Sequence, residues 1–255
     1  MRGEQGEILR VLDSGEERPA VATSEKSDLR PEMEAGGSPQ AESVDDYGLR
    51  HVPCYPTPPA KRLVDLSLSV LALAVLWPVW LLAVFLIKLD SPGPALLSQP
   101  RVGLRGRKFS FYKFRTLAEG PADDLAERIP QGDLTQRLIS PRGRNPRATN
   151  IGWVLRKTTV DELPQLLNVV KGDMSLVGPR PDMPLIVAHW PQSFLQRHKV
   201  KPGMTGLAQV NGRSDLTHYQ KVCYDLEYVR YHPLSRDLRI LLKTIALVVS
   251  KKGAR

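Results

Sequence analysis

The most uniform hydrophobic run of the chain covers residues 66–87, which are 22 uncharged residues between Asp65 and Lys88. An α-helix rises about 1.5 Å per residue, so about 20 apolar residues cross the hydrocarbon core of a bilayer. The length predicts a membrane segment, and a buried helix of a soluble protein fits it poorly. Pro78 stands in the middle of the run, where it removes a backbone donor, so the helix is expected to bend there.

Two arrangements of this segment are compatible with its proline. A straight transmembrane helix tolerates a kink, whereas a re-entrant hairpin of two half-helices leaves the membrane on the side it entered. Lysine and arginine concentrate on cytoplasmic flanks, and here they stand on both flanks: Lys61, Arg62, Lys88, Arg101, Arg105, Arg107 and Lys108. A basic excess on both flanks favours a hairpin over 61–89.

The rest of the pattern is mostly helical. Alternating apolar positions around Phe109 and Phe111 predict a strand over 108–116, and 118–150 read as a loop or short helices. Helices are predicted over 161–170, 185–196, 216–231 and 234–250, with turns at 91–94, 178–181, 201–206 and 211–213. The last helix is basic and amphipathic, which fits either the headgroup layer of a membrane or the core of the domain.

Charge divides the chain into two parts. Residues 1–60 hold 6 basic and 12 acidic side chains, a net charge of −6, whereas 61–255 hold 30 and 15, a net charge of +15. The first part has no sustained apolar period and predicts a disordered acidic tail. The second part implies an anionic partner: nucleic acid, acidic lipid or a phosphorylated substrate. Cys54 and Cys223 fit neither a metal site nor a disulfide framework.

An adjacent carboxylate pair, Asp161 and Glu162, stands at a predicted helix start. Asp161 suits the N-cap, Pro164 is tolerated in the first turn, and Gly172 is a suitable C-terminal stop. The positive end of a helix keeps an acid ionised and attracts anions. The alternative is that Asp161 only caps the helix, which is the commoner use of an isolated Asp-Glu pair.

Five basic side chains occur in the segments expected around this pair: Lys113, Arg115, Arg147, Arg156 and Arg180. Guanidinium forks and lysine ammonium groups bind phosphate oxygens, so together they suit a diphosphate. Each one alone is better explained as a solvated surface charge. A membrane-anchored protein that binds nucleic acid or anionic lipid without chemistry is the competing interpretation, but it needs no carboxylate pair.

Three motifs resemble those of one family. They are KFRT at 113–116, the run from NPRATNIGWVLRKTTVDELPQLL to GPRP at 145–181, and RHKVKPGMTGLAQVNGR at 197–213. In this order and spacing they resemble the bacterial sugar transferases, the monotopic phosphoglycosyl transferases. The resemblance covers essentially 61–255 and includes the apolar segment with its central proline. Trp77 stands where the family commonly has a serine before that proline.

This resemblance implies an α/β, mostly helical monotopic membrane protein. Its parts would be the acidic tail 1–60, a re-entrant helix 61–89 bent at Pro78, and a small catalytic domain over 90–255 on the cytoplasmic face of the bacterial inner membrane. Such an enzyme transfers a sugar 1-phosphate from a UDP-sugar to polyprenyl (undecaprenyl) phosphate and releases UMP. The step initiates assembly of an exopolysaccharide, capsule, O-antigen or glycoprotein glycan.

The resemblance also implies roles for individual residues. Asp161 would be the nucleophile that carries the phosphosugar, and Glu162 would help to hold Mg²⁺ together with Asp161. The implied contacts to the nucleotide and its phosphates are Lys113, Arg115, Arg147, Arg156, Pro179, Arg180 and Pro181. UDP-sugar, polyprenyl phosphate and membrane lipid are the expected partners, nucleic acid is not, and a homo-oligomer is compatible with the sequence.

Overall fold

The computed structural model describes residues 54–118, 145–212 and 215–250. Its first element is helix α1, Pro59–Asp90, which has Pro78 inside it. Strands β1, Leu96–Val102, and β2, Lys108–Phe114, form an antiparallel hairpin in which Arg101 lies opposite Phe109. The 3₁₀ turn Leu104–Gly106 lies between the two strands.

The described residues after 145 are mostly helical. Their helices are α2 Asn150–Thr158, α3 Gln165–Lys171, α4 Pro184–Val187, α5 Gln192–Leu195, α6 Leu207–Val210, α7 His218–Arg230 and α8 Leu234–Ser250. Two 3₁₀ turns cover Val160–Glu162 and Gln196–Lys199. A small parallel sheet joins β3, Ser175–Val177, to β4, Gly203–Thr205.

The structure confirms part of the predicted pattern. The mostly helical character, the strand that starts at Lys108 and the two closing helices are as expected. The helix predicted over 185–196 is instead split into α4 and α5 around Trp190 and Pro191, because proline does not continue a helix. The predicted loop 118–150 lies mostly outside the described residues, but its last residue already starts α2.

The N-terminal end of α1 is fixed to the globular part by polar contacts. The buried Lys61 Nζ lies 2.6 Å from Asp237 Oδ2 and donates to the Val177 carbonyl. Arg62 donates to the carbonyls of Val169 and Val170 at 2.6 and 2.9 Å, which satisfies acceptors in the last turn of α3. These contacts join the start of α1 to α3, to β3 and to α8.

The C-terminal part of α1 contacts the same globular unit. Ala83 and Ile87 are buried with Phe114 of β2 and Leu155 of α2, and the ring centroids of Trp80 and Phe114 are 5.1 Å apart. Earlier in the helix, Ala72 and Leu73 pack against the main core. The helix therefore touches the globular unit on both sides of Pro78.

A long apolar face of α1 stays exposed. It contains Leu63, Leu66, Leu68, Val70, Leu71, Val75, Trp77, Val79, Leu81, Leu82, Phe85 and Leu89. The helix is long and apolar enough to cross a membrane, and few of its residues are buried in the protein. Its backbone is assigned as one continuous helix through Pro78, so the prediction of two separate half-helices is not confirmed.

The main core lies between α3, the parallel sheet, α7 and α8. Its buried members include Leu166, Val169, Met174, Val177 and Tyr228. Ile240 of α8 joins this core, which confirms the core alternative for one face of the last helix, whereas Leu242 on that helix is exposed.

Most of the predicted tail 1–60 lies outside the described residues. The described residues 54–58 contact the folded part: the Tyr55 amide donates to the Lys199 carbonyl, and the Tyr55 ring lies against His232. Helix α1 begins at Pro59, next to the boundary predicted at residue 60.

Candidate active site

The carboxylate pair lies on a tight turn between α2 and α3. Helix α2 ends at Thr158, and Thr159 takes left-handed dihedral angles of φ 61° and ψ 12°. A β-branched residue rarely adopts this conformation, and such backbone strain is concentrated at functional sites. The chain then makes the 3₁₀ turn that contains Asp161 and Glu162, and α3 starts behind it.

The helix predicted to start at Asp161 starts later. Its N-cap is Pro164, which makes no side-chain capping bond, so the prediction of Asp161 as N-cap is wrong. Proline at this position fixes a φ suited to the first turn, whereas the preceding residues close their own 3₁₀ turn. Gly172 ends the helix at φ 94°, as predicted. The carboxylate of Asp161 is therefore not committed to a cap.

Glu162 is held by Arg180 in a two-pronged ion pair. Arg180 Nη2 lies 2.6 Å from Glu162 Oε1, and Nη1 lies 3.2 Å from Oε2. This geometry fixes the orientation of both planar groups. The charge of Glu162 raises the pKa of Arg180 above its ordinary value, so the guanidinium stays protonated.

Asp161 is different, because no hydrogen bond or ion pair engages its carboxylate among the described residues. Burial raises its pKa to about 7, and the charge of Glu162 adds to this effect. Arg156, Arg180 and Lys113 act in the opposite direction. A half-buried acid next to three cations is a candidate catalytic group.

Two of these cations are placed by β2 and α2. Lys113 lies in β2. Its pKa is lowered to about 8, mainly by burial and to a smaller extent by repulsion from Arg101 and Arg156. Arg156 Nε donates to Thr116 Oγ1 at 2.8 Å. Helix α2 lies directly on this part of the chain, since a Cβ built on Gly152 would be 2.1 Å from the Thr116 carbonyl oxygen.

The turn at 178–181 is fixed on both sides. The Gly178 amide donates to Thr205 and the Pro179 carbonyl accepts from Gly203, both at 2.9 Å, which joins the turn to β4. The Val102 amide at the end of β1 donates to the Asp182 carbonyl at 3.0 Å. Pro179, Arg180 and Pro181 therefore form a rigid edge between the hairpin and β4.

The side chain of Arg197 is hydrogen-bonded to this turn. It is 5% exposed and donates to the Arg180 carbonyl at 2.7 Å. It also forms ion pairs with Asp182 and Asp225, each at 2.5 Å, and stacks over the Trp190 ring. A buried arginine with this many partners orients the backbone that carries Arg180.

Two predicted phosphate contacts lie elsewhere. Arg115 is 3% exposed and donates to the Ser91 carbonyl at 2.6 Å, at the end of α1. Arg147 lies beside the bridge between Leu117 and Ala148 and donates to the Ala118 carbonyl at 3.4 Å. Both side chains thus contact backbone carbonyls outside the turn that carries Asp161 and Glu162.

Comparison with known proteins agrees with the motifs. Residues 57–251 match the bacterial sugar transferase family. The chain belongs to this family.

Several relatives are similar over 76% of the chain. A UDP-glucose:undecaprenyl-phosphate glucose-1-phosphate transferase of Caulobacter vibrioides is 39% identical, and the match covers 71% of its length. The exopolysaccharide production protein ExoY of Rhizobium meliloti is 37% identical over 88% of its length. An undecaprenyl-phosphate glucose phosphotransferase of Komagataeibacter xylinus is 39% identical, but the chain spans only 36% of it.

Sequence reasoning missed two parts of the candidate site. Asp182 and Arg197 stabilise the turn that carries Arg180, and their separation of 15 residues gives no periodic signal. Arg101 lies on β1, a strand whose apolar positions are interrupted by Ser98, Gln99 and Pro100. Only the pairing of β1 with β2 reveals that Arg101 and Lys113 share a face.

Proposed function

We propose that this transferase moves a sugar 1-phosphate from a UDP-sugar to undecaprenyl phosphate through a phosphosugar ester on Asp161. The observation that carries the proposal is the Asp161 carboxylate itself: half-buried, not engaged by another described residue, and surrounded by three cations. The relatives named for transfer of sugar phosphates to undecaprenyl phosphate support the same chemistry.

The reaction has two displacements at phosphorus. An oxygen of Asp161 attacks the phosphorus that bears the sugar, the bond from this phosphorus to the bridging oxygen breaks, and the electron pair leaves on UMP. An oxygen of the lipid phosphate then attacks the same phosphorus, the bond to Asp161 breaks, and the carboxylate is regenerated. A covalent step divides one displacement between anions into two easier ones.

The cations make the first displacement feasible. Two anions repel each other, and Arg156, Lys113 and Arg180 provide the positive charge that offsets this repulsion where Asp161 meets the diphosphate. Glu162 holds Arg180 in one orientation, so the guanidinium is already positioned before substrate binds. Groups that need no rearrangement stabilise a transition state most effectively.

Magnesium is the cofactor that these residues fit. Asp161 and Glu162 are adjacent carboxylates. Burial raises the pKa of Asp161 most, and repulsion from Glu162 adds to it; a divalent cation would relieve this repulsion. No group of three or more His, Cys, Asp or Glu side chains suited to a metal occurs in the described part of the chain. Mg²⁺ commonly takes one or two carboxylates and completes its shell with water and substrate phosphates. When bound, it neutralises charge on the diphosphate.

The contacts of α1 support a re-entrant arrangement. A straight helix of 32 residues would be about 48 Å long, enough to separate its ends across a bilayer. Yet Arg62 at one end contacts α3, and Ile87 near the other end packs with β2. These two elements are hydrogen-bonded to each other, because Asn168 of α3 donates to the Ser110 carbonyl of β2 at 2.6 Å. These contacts support a placement of both ends of α1 on one side of the membrane.

The side we propose is the cytoplasmic face of the inner membrane. Lys61, Arg62 and Lys88 flank the apolar segment, in accordance with the preference of basic residues for that side. The product would be the first lipid-linked sugar of a membrane glycan. An exopolysaccharide is the glycan named in the relative from Rhizobium meliloti.

Release of UMP tests this proposal. Purified full-length protein in lipid nanodiscs is incubated with Mg²⁺, undecaprenyl phosphate and each member of a panel of UDP-sugars. At least one sugar should give UMP and a lipid-linked sugar phosphate in equal amounts. The Asp161→Asn protein serves as the control and should give neither. Absence of UMP with every sugar, from folded protein, would reject the proposed activity.

A further inference from the structure

Arg101 on β1 has the properties of a ligand-binding residue. Its guanidinium carbon lies 5.2 Å from the centre of the Phe111 ring. Its Nε is buried and has no hydrogen-bond partner within the described ranges, and its Nη2 reaches only Gln99, at 3.4 Å. A buried donor without a good acceptor is costly unless a ligand supplies one.

The register of the hairpin points this side chain toward Lys113. Arg101 lies opposite Phe109, and Lys113 lies four residues further along β2 on the same face of the hairpin. The guanidinium lies over Phe111, which is midway between these two positions. Because Val102 is hydrogen-bonded to Asp182, the same end of β1 also lies against the turn that carries Arg180.

Arg101 lies within electrostatic reach of Arg180, Asp182 and Glu162. Burial lowers the pKa of Arg101 to about 10, and repulsion from Arg180 contributes, so the side chain remains a cation at neutral pH. Arg101 also acts on Lys113.

We propose that Arg101 binds the phosphate of the departing nucleoside monophosphate. This inference depends on the function proposed above. In an in-line displacement the leaving oxygen is opposite the nucleophile. When the bond between the sugar-bearing phosphorus and the bridging oxygen breaks, that oxygen keeps the electron pair and the α-phosphate becomes more negative. Arg101 and Arg180 together bind this developing charge, and Lys113 lies on the same face of the hairpin as Arg101.

The test separates the two half-reactions. The first is followed as the burst of UMP after mixing enzyme and UDP-sugar without lipid acceptor. The second is followed as transfer from the isolated phosphosugar enzyme to undecaprenyl phosphate. Arg101→Gln removes the charge, Arg101→Lys keeps the charge but loses the fork, and Arg107→Gln makes the same charge change at an exposed position of the same hairpin.

We expect Arg101→Gln to slow the first half-reaction about 100-fold, as the loss of one transition-state donor does, and to weaken inhibition by UMP at least about tenfold. The second half-reaction should change less than about threefold, and Arg101→Lys should lie between wild type and Arg101→Gln. Arg107→Gln should behave as wild type. If the Gln protein does not fold, the Lys protein and its inhibition by UMP carry the same comparison.

An unchanged burst, or equal slowing of both half-reactions, would overturn the role of Arg101. These results differ from failure of the proposed function. In that case the wild-type protein itself would give no UMP burst, whereas a weaker affinity of the Arg101 variants for UMP would still be measurable.

Discussion

Arg180 holds Glu162 through both of its terminal nitrogens, at 2.6 and 3.2 Å. The neighbouring Asp161 is left without a hydrogen bond from another described residue. Two adjacent acids are thus distinguished by their partners: Glu162 is fixed by Arg180, and Asp161 is half-buried with its pKa raised to about 7. This difference is the basis on which we propose a positioning role for Glu162 and the chemical step for Asp161.

The importance of the two-pronged ion pair between Arg180 and Glu162 can be tested by Arg180→Lys. Lysine keeps the positive charge but cannot make two parallel hydrogen bonds to a carboxylate. We expect turnover to fall about 100-fold. The Arg180 side chain is 46% exposed, so the melting temperature should change little, because exposed ion pairs contribute about 1 kcal/mol or less to stability.

Arg239→Lys is the matched control, since Arg239 is exposed on α8, outside the site. Its turnover should equal that of wild type. Steady-state UMP release and thermal unfolding of the three proteins make the comparison. Normal turnover in Arg180→Lys would show that the two-pronged contact between Arg180 and Glu162 has no catalytic importance.

A bell-shaped pH profile is expected for kcat/KM with UDP-sugar. The nucleophile must be ionised, so the rate should rise with pH as Asp161 loses its proton near pH 7. It should fall again near pH 8, where Lys113 loses its positive charge. Saturating Mg²⁺ should move the acid limb to lower pH, because a cation favours the ionised carboxylate.

Two variants test which residue causes each limb of the pH profile. Glu162→Gln removes a charge that raises the pKa of Asp161, so the acid limb should move to lower pH. Lys113→Arg should move the alkaline limb beyond pH 8, since arginine stays protonated there. Profiles with an acid limb near pH 4 in every protein would contradict the environment described for Asp161.

Asp161→Asn should stabilise the folded protein while it abolishes turnover. The folded pKa of Asp161, about 7, lies above its ordinary value of 3.8. The stability that this proton contributes is fully present below about pH 4 and is lost as pH rises through 7. The asparagine variant has no such loss, so at pH 8 it should be more stable by about 1 kcal/mol.

Denaturant unfolding of both proteins at pH 5, 6, 7 and 8 measures this difference, which should grow with pH. Asp215→Asn provides a control at an exposed carboxylate. An Asp161→Asn protein less stable than wild type at pH 8 would mean that the Asp161 carboxylate is satisfied in the folded state.

The two ends of α1 should be accessible from the same side of the membrane. Single cysteines at Ala60 and Lys88, both exposed, are introduced after Cys54 and Cys223 are replaced by serine. An impermeant maleimide added to intact spheroplasts should label neither cysteine, and permeabilised membranes should label both. Labelling of only one cysteine in intact spheroplasts would indicate a helix that crosses the bilayer.

The sequence predicted the long elements better than the short ones. Helices α7 and α8 carry a sustained apolar period, and α1 is a long uncharged run, so each could be located from the chain alone. Strands β3 and β4 have three residues each and pair in parallel across α4 and α5. Such strands depend on tertiary pairing and are too short for a periodic signal.

The sequence predicted which residues lie close to Asp161 better than it predicted the residues further from it. Asp161, Glu162, Arg156 and Arg180 lie together as expected. Arg115 is only two residues beyond Lys113, but it lies just after the last residue of β2. Its side chain donates to the Ser91 carbonyl at the end of α1. Only the packing of α1 on β2 decides which of these two basic residues is buried.

Mass spectrometry of enzyme mixed with UDP-sugar and Mg²⁺, without lipid acceptor, tests the central claim most directly. The intact mass should increase by one phosphosugar, the modification should map to the peptide that contains Asp161, and it should disappear when undecaprenyl phosphate is added. The Asp161→Asn protein should remain unmodified. Turnover by wild-type enzyme without such an adduct, or with an adduct on another residue, would contradict the account.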